Sequence, residues 1–215
     1  MRTKLALAAA VSVLATACTQ TLPPILPPTL TFDGTDCALT PDLAAAVSML
    51  PSEKDQKKKI YTISSPVTGE YGCLTQNDVS GPYVVYDMPQ YGTVKMIELG
   101  SALEGARIFS PIVTLLDENG EVTRLIEPKS YMFRGNIYSA QFAPAEGERF
   151  ALVTVNPDLI GERYEAIRLG ISTNTIYTGY GASNWYSGFE TALSQGYSYE
   201  GTMQAKVYKA DEEDD

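Results

Sequence analysis

Arg107-Ile108-Phe109-Ser110-Pro111-Ile112-Val113-Thr114-Leu115-Leu116, then Asp117-Glu118-Asn119-Gly120, then Glu121-Val122-Thr123-Arg124-Leu125-Ile126 is the stretch that decides the fold class. Its first part is dense in β-branched and aromatic residues, which suit a pleated, half-buried surface. Asn-Gly tolerates the positive φ that a tight hairpin demands. The return leg alternates with period two, so the whole reads strand, turn, strand. Pro111 has no N–H to give a ladder, which predicts an edge or a bulge there.

Outward from this hairpin the same signals recur at intervals of roughly ten residues. Val94–Leu99 alternates imperfectly. Ile137–Phe142 sets Ile137, Ser139 and Gln141 against Tyr138, Ala140 and Phe142. Arg149–Val155 reads as a buried central strand, and Thr202–Tyr208 alternates cleanly and closes the domain. These spacings predict a mainly β chain, an antiparallel jelly-roll-like β-sandwich with one or two short helices. One helix is expected from Thr40 as N-cap, through Pro41 and Asp42, to Leu50, halted by Pro51. Asn156-Pro157-Asp158 predicts a second, running to about Leu169 and weakened by Gly161.

The chain opens Met1-Arg2-Thr3-Lys4, then an apolar run from Leu5 to Leu14, then Ala15-Thr16-Ala17-Cys18. The run has the length of a signal-peptide core and is too short to remain as a spanning helix. The segment resembles the lipobox of bacterial lipoproteins, with Ala15 where that motif prefers Leu. The resemblance implies acylation of Cys18, and Thr19 in the next position implies an outer-membrane, periplasm-facing address. An ordinary secretory signal with a chance cysteine is the alternative. Several acyl chains would hold the protein on a membrane stably, which a single chain does not. The paired prolines of Thr21–Leu30 favour extended polyproline II and predict a semi-rigid spacer. The expected organisation is therefore a signal peptide over 1–17, a lipidated tether over 18–31, and a helix-containing segment over 32–90. A β-sandwich over 91–209 and an acidic tail over 210–215 follow.

Export also explains the cysteines. With Cys18 lipidated, Cys37 and Cys73 remain, and two thiols in an oxidising compartment are expected to pair as a staple. No histidine is present, which removes Ser-His and Cys-His nucleophile pairs and His-ligated zinc. The formal net charge is −10, part of it in the run Asp211–Asp215. Nucleic acid is an unsuitable partner for such a surface, since its binding needs a cationic patch. Lys54 with Lys57-Lys58-Lys59, beside Glu53 and Asp55, reads as a solvated loop or helix end.

Val94–Leu99, Ile108–Gly120, Tyr131-Met132-Phe133 and Glu148–Val153 carry a resemblance to the maltose operon periplasmic protein family. It spans under half of the chain and nothing before Tyr91. What it implies is the β-sandwich and, by analogy, a link to carbohydrate uptake. It carries no catalytic motif.

Two constellations remain. Tyr177–Phe189 mixes aromatics with Gly, Ser and Asn, and is expected to be a loop. Tyr177, Tyr180, Asn184, Trp185 and Tyr186 are its ligand-binding candidates, as a stacking platform for glycan rings or as a protein contact. The alternative is that these rings cover one end of the sandwich. Among the acids, Asp117, Glu118 and Glu121 crowd a turn, and Glu162 and Glu165 approach each other only on a helix. Glycoside hydrolysis needs two carboxyl groups about 5–10 Å apart across a cleft, which spacing alone does not supply. Asp33-Gly34-Thr35-Asp36 lacks the ligand spacing of a calcium loop and reads as a turn. No catalytic residue, metal or cofactor is assigned. The sequence-level expectation is a non-catalytic envelope protein that binds or scaffolds. A carbohydrate-binding accessory protein is the alternative and a carboxylate hydrolase the third reading.

Overall fold

The computed structural model describes residues 26–178 and 181–210, with backbone alone for 165–178 and 181–194. Cys18, Tyr180 and the Asp211–Asp215 run lie outside the described residues. In chain order the strands are β1 Val47–Ser48, β2 Ile60–Val67, β3 Cys73–Gln76, β4 Val79–Pro82, β5 Val84–Asp87 and β6 Val94–Ala102. There follow β7 Arg107–Phe109, β8 Pro111–Leu116, β9 Val122–Leu125, β10 Met132–Arg134 and β11 Ile137–Phe142. The last four are β12 Phe150–Val155, β13 Arg163–Thr178, β14 Gly181–Ser198 and β15 Gly201–Lys209.

Two five-stranded sheets hold the core, in the orders β1-β5-β12-β8-β9 and β10-β11-β6-β15-β2. Tyr86, Val113, Leu115, Ala151 and Val153 from the first meet Ile97, Leu99, Ala140, Met203, Ala205 and Val207 from the second. The molecule is thus mainly β, and two sheets sharing one apolar layer make it a sandwich. The expected strands hold. β12 is central, between β5 and β8, and β15 runs between β6 and β2. Strands from before Tyr91 complete both sheets, β1 and β5 along one edge of the first and β2 at one edge of the second. Gly120, at φ 84°, closes the β8–β9 hairpin. Pro111 is neither on an outer strand nor at a bulge. It is the first residue of β8, opposite Val155, at a height where β9 does not yet pair. No neighbour there asks for the N–H it lacks.

Both predicted α-helices are absent from the described residues, where the helical pieces are 3-10 turns of three residues. The first was misread for a physical reason. Asp42 Oδ1 accepts from the N–H groups of Ala44 and Ala45 at 3.0 and 3.3 Å, so a cap does form. One turn later the chain leaves the helical path. Val47 and Ser48 pair in parallel with Tyr86 and Asp87, and Met49 is fully buried. Eight or so residues make a marginal helix; ladder bonds and a buried methionine outweigh it. Leu43 and Ala46 instead cover Leu74, Val85, Leu116 and Leu152 on the outer face of the first sheet. The Cys37–Cys73 disulfide ties this cover to β3, as expected. The second helix shrinks to Pro157–Leu159, capped by Asn156 Oδ1 accepting from Asp158 N–H at 3.1 Å. Gly161 at φ 84° then turns the chain into β13.

The Pro-rich segment is also more than a spacer. Leu26 O accepts from Ala106 N–H at 3.2 Å, Thr29 O from Tyr199 N–H at 2.9 Å, and Thr29 N–H donates to Ser198 Oγ at 2.8 Å. From Leu26 onward it is docked against the C-terminal end of β14.

Candidate functional site

The described residues of the segment expected to be a loop, 177–178 and 181–189, belong instead to the two longest strands of the fold. β13 has 16 residues and β14 has 18, paired antiparallel from Arg163↔Gly196 to Thr178↔Gly181. The third strand of this sheet, β7, touches β14 only at Gly196, Tyr197 and Ser198. Among the described residues no other strand pairs with β13. At about 3.3 Å per residue the ladder is roughly 50 Å long, and most of it is a two-stranded ribbon.

The root of this ribbon is firmly held. Tyr197 N–H donates to Glu162 O at 3.0 Å and Gly161 N–H to Tyr197 O at 3.1 Å. Gly196 N–H reaches Ala106 O at 2.9 Å, and Ser110 N–H reaches Ser198 O at 3.2 Å. Buried Gln195 donates to Gly105 O at 3.2 Å. Rings complete the anchor. Phe133 stacks on Tyr164 with centroids 3.5 Å apart, and Tyr138 meets Tyr197 edge-on at 5.5 Å. Burial raises the phenol pKa of Tyr138, Tyr131 and Tyr197, so these rings stay neutral under ordinary conditions. Arg107 pairs with Glu104 at 3.2 Å and approaches Glu200 at 3.8 Å.

Of the predicted site residues, Tyr177 lies near the end of β13, opposite Ala182. Asn184, Trp185 and Tyr186 lie on β14 opposite Thr175, Asn174 and Thr173. Successive strand residues alternate between faces, so 185 and 186 have opposite parity. A single platform does not use both. The hairpin was hidden because Gly170, Gly179, Gly181 and Gly188 interrupt its apolar residues. The visible signal was the alternation Ile167, Leu169, Ile171.

The acids take structural roles where they are described. Asp117 Oδ1 accepts from Asn119 and Glu121 N–H, both at 2.8 Å, and the Glu121 N–H above all holds its carboxyl below the ordinary range. Two buried carboxylates escaped sequence reasoning. Glu148 is gripped by Arg124 at 2.8 and 2.9 Å and accepts from Ala145 N–H. Glu98 accepts from Ser139 Oγ at 3.0 Å, Gln141 Nε2 at 2.9 Å and Tyr208 Oη at 3.3 Å. The signal at Glu98 was an acid inside an otherwise sheltered strand, whereas Glu148, in the loop before β12, offered none.

Among the described residues, three cavities open to small molecules bear on the chemistry. One of about 510 Å³ is lined by Tyr61, Met88, Thr93, Arg149 and Lys209, and its one acid, Asp87, accepts from Arg149 at 2.9 Å. Those of about 480 and 350 Å³ hold one acid each, Asp42 and Asp158. None of the three brings two carboxylates face to face. Among the described residues no cluster of Cys, Asp and Glu has the makings of a metal site, and no helix is long and apolar enough to cross a membrane. Compared with known protein families, curated proteins and solved structures, the chain matches none.

Proposed function

We propose that this chain is a non-catalytic scaffolding lipoprotein of the cell envelope, held on the outer membrane through Cys18. Its working surface is the β13–β14 hairpin. The observation that carries the reading is the ladder itself: sixteen residues of β13 paired on one side only, rooted in a rigid sandwich. An unpaired strand edge is a template for another strand, and soluble proteins blunt such edges with charge, proline or cover. Here the blunting is missing, because no Asp, Glu, Lys or Arg occurs between Leu169 and Phe189. A two-stranded ribbon is marginal alone, so a partner strand both satisfies its edge and stabilises it.

By analogy with the maltose operon periplasmic protein family, which the strand pattern resembles, the partner proposed is one linked to carbohydrate uptake. Glycan binding through Trp185 is the alternative. A hydrolase is least supported, for want of paired acids in the cavities.

The test is photo-crosslinking in cells from probes at Thr173 and Thr175 of the full-length lipoprotein, with mass spectrometry of its mature N-terminus. The expected result is an acylated Cys18 and discrete protein adducts, abolished by Thr173→Pro. Absence of adducts, together with glycan binding that Trp185→Ala removes, would replace the scaffold with a sugar-binding protein. An unmodified Cys18 would remove the anchor.

A further inference from the structure

From the same hairpin we infer that its outer section crosses a lipid bilayer, and that the strands pairing with its edges are the hairpins of further copies of this chain. This deepens the scaffold reading and rests on it.

Charge defines the section. Arg163, Glu165 and Arg168 on β13 sit on the root side of Leu169, and Glu190 on β14 is the partner of Leu169 itself, one position to the root side of Phe189. Beyond them β13 keeps the ten residues from Leu169 to Thr178, and β14 the nine from Gly181 to Phe189, without one ionisable acid or base among Asp, Glu, Lys and Arg. A transmembrane β-strand needs about 9–11 residues. Ten residues at about 3.3 Å, tilted by about 40°, rise about 25 Å, the height of the apolar band of such barrels. Both strands therefore match the same thickness, and the charges stop within one register position of each other, at Arg168 on β13 and at Glu190 on β14.

Register separates two sets of positions. Leu169, Ile171, Thr173, Thr175 and Tyr177 share parity with their partners Glu190, Gly188, Tyr186, Asn184 and Ala182, Glu190 standing at the root-side rim of the section. This set carries Leu, Ile and two tyrosines, and it is assigned to the lipid. The opposite set holds Gly170, Ser172, Asn174, Ser183 and Ser187, with Ile176, Trp185 and Phe189 among them, and is assigned to the interior.

A lone hairpin has no stable place in hydrocarbon, because its edge N–H and C=O groups find no water there. Closure removes both edges. The edge of β13 in one copy and that of β14 in the next are different surfaces, so their pairing is heterologous and closes as a ring. Reach is compatible. Leu26 is docked at the hairpin root, and it lies eight positions from Cys18. That length of chain spans at most about 29 Å, so the lipid keeps the root close to the bilayer.

The test uses the full-length lipidated protein in phosphatidylcholine–phosphatidylglycerol vesicles. Ile171→Cys, Ser172→Cys, Thr173→Cys, Asn174→Cys and Thr175→Cys each carry an environment-sensitive fluorophore, the native disulfide left intact. Nitroxide-bearing lipid is expected to quench the labels at 171, 173 and 175 and to spare 172 and 174. Crosslinking is expected to give a ladder of several copies, and the vesicles to leak a small dye. Thr173→Arg is expected to cut leakage about tenfold or more, since a cation at mid-bilayer on the lipid face is strongly disfavoured, with circular dichroism unchanged. Absence of quenching at all five positions overturns the membrane inference; oligomers persisting without it leave the scaffold reading standing. Equal quenching of both parities refutes the closed barrel. A single copy without leakage refutes both the barrel and the second copy, while protein adducts in cells would still support the scaffold.

Discussion

Removing the Cys37–Cys73 bridge by the double substitution Cys37→Ser, Cys73→Ser tests how the outer cover of the first sheet is held. The two cysteines are 36 positions apart. For a closed loop of that size the chain-entropy relation gives about 13 cal/mol/K, or about 3.8 kcal/mol at 25 °C. The native state loses no apolar contact in this change, because Leu43 and Ala46 still cover Leu74, Val85, Leu116 and Leu152. Hydrogen bonds between Ala38 and Cys73 and between Thr75 and Ala38 also remain, at 3.0 and 2.8 Å. The loss therefore resides in the unfolded chain. Urea unfolding followed by tyrosine fluorescence and far-UV circular dichroism should show a drop of about 3–4 kcal/mol. In a domain of this size that corresponds to a fall in melting temperature of roughly 8–15 °C. Folding should slow more than unfolding accelerates. A loss under about 1 kcal/mol would refute the loop-closure account. A loss above about 6 kcal/mol, with the two probes no longer coinciding, would show instead that the cover detaches without its staple.

Gly100→Val places a Cβ against Tyr138 O and the backbone of Ser139, where β6 and β11 lie too close to admit it. Overpacking costs of about 1–3 kcal/mol or more are expected by urea titration, and a neutral outcome would mean that the two strands separate freely. On the alkaline side, burial raises the phenol pKa of Tyr86 and of Tyr131, as it does at Tyr197. Each is raised above the unfolded value of 10.0, so its stabilisation is full below pH 10 and is lost as pH climbs beyond it. Ultraviolet titration should show these three ionising only with unfolding, and early ionisation of Tyr86 would contradict its complete burial.

How much of this was legible in the sequence depends on how far apart the partners lie. The β8–β9 hairpin, β11, β12 and β15 were readable from local alternation and an Asn-Gly turn. The disulfide was readable from the expectation of export and a count of three cysteines. Residues 43–50 were misread because helix propensity is local, whereas Met49 answers to a core built by strands far along the chain. Tyr177–Phe189 was misread as a loop, and the chain up to about Leu169 as a helix, because glycines break the apolar pattern and the aromatics looked like a loop. Only pairing over the full ladder reveals one continuous hairpin. By itself the sequence determined the β class and the staple, and it carries a charge-free stretch. The tertiary structure alone decided that this stretch lies along two paired strands with an open edge, docked at its root to the chain that follows Cys18. The reason is physical: composition is written residue by residue, but strand partners and free edges are set by hydrogen bonds between segments that the sequence does not place side by side.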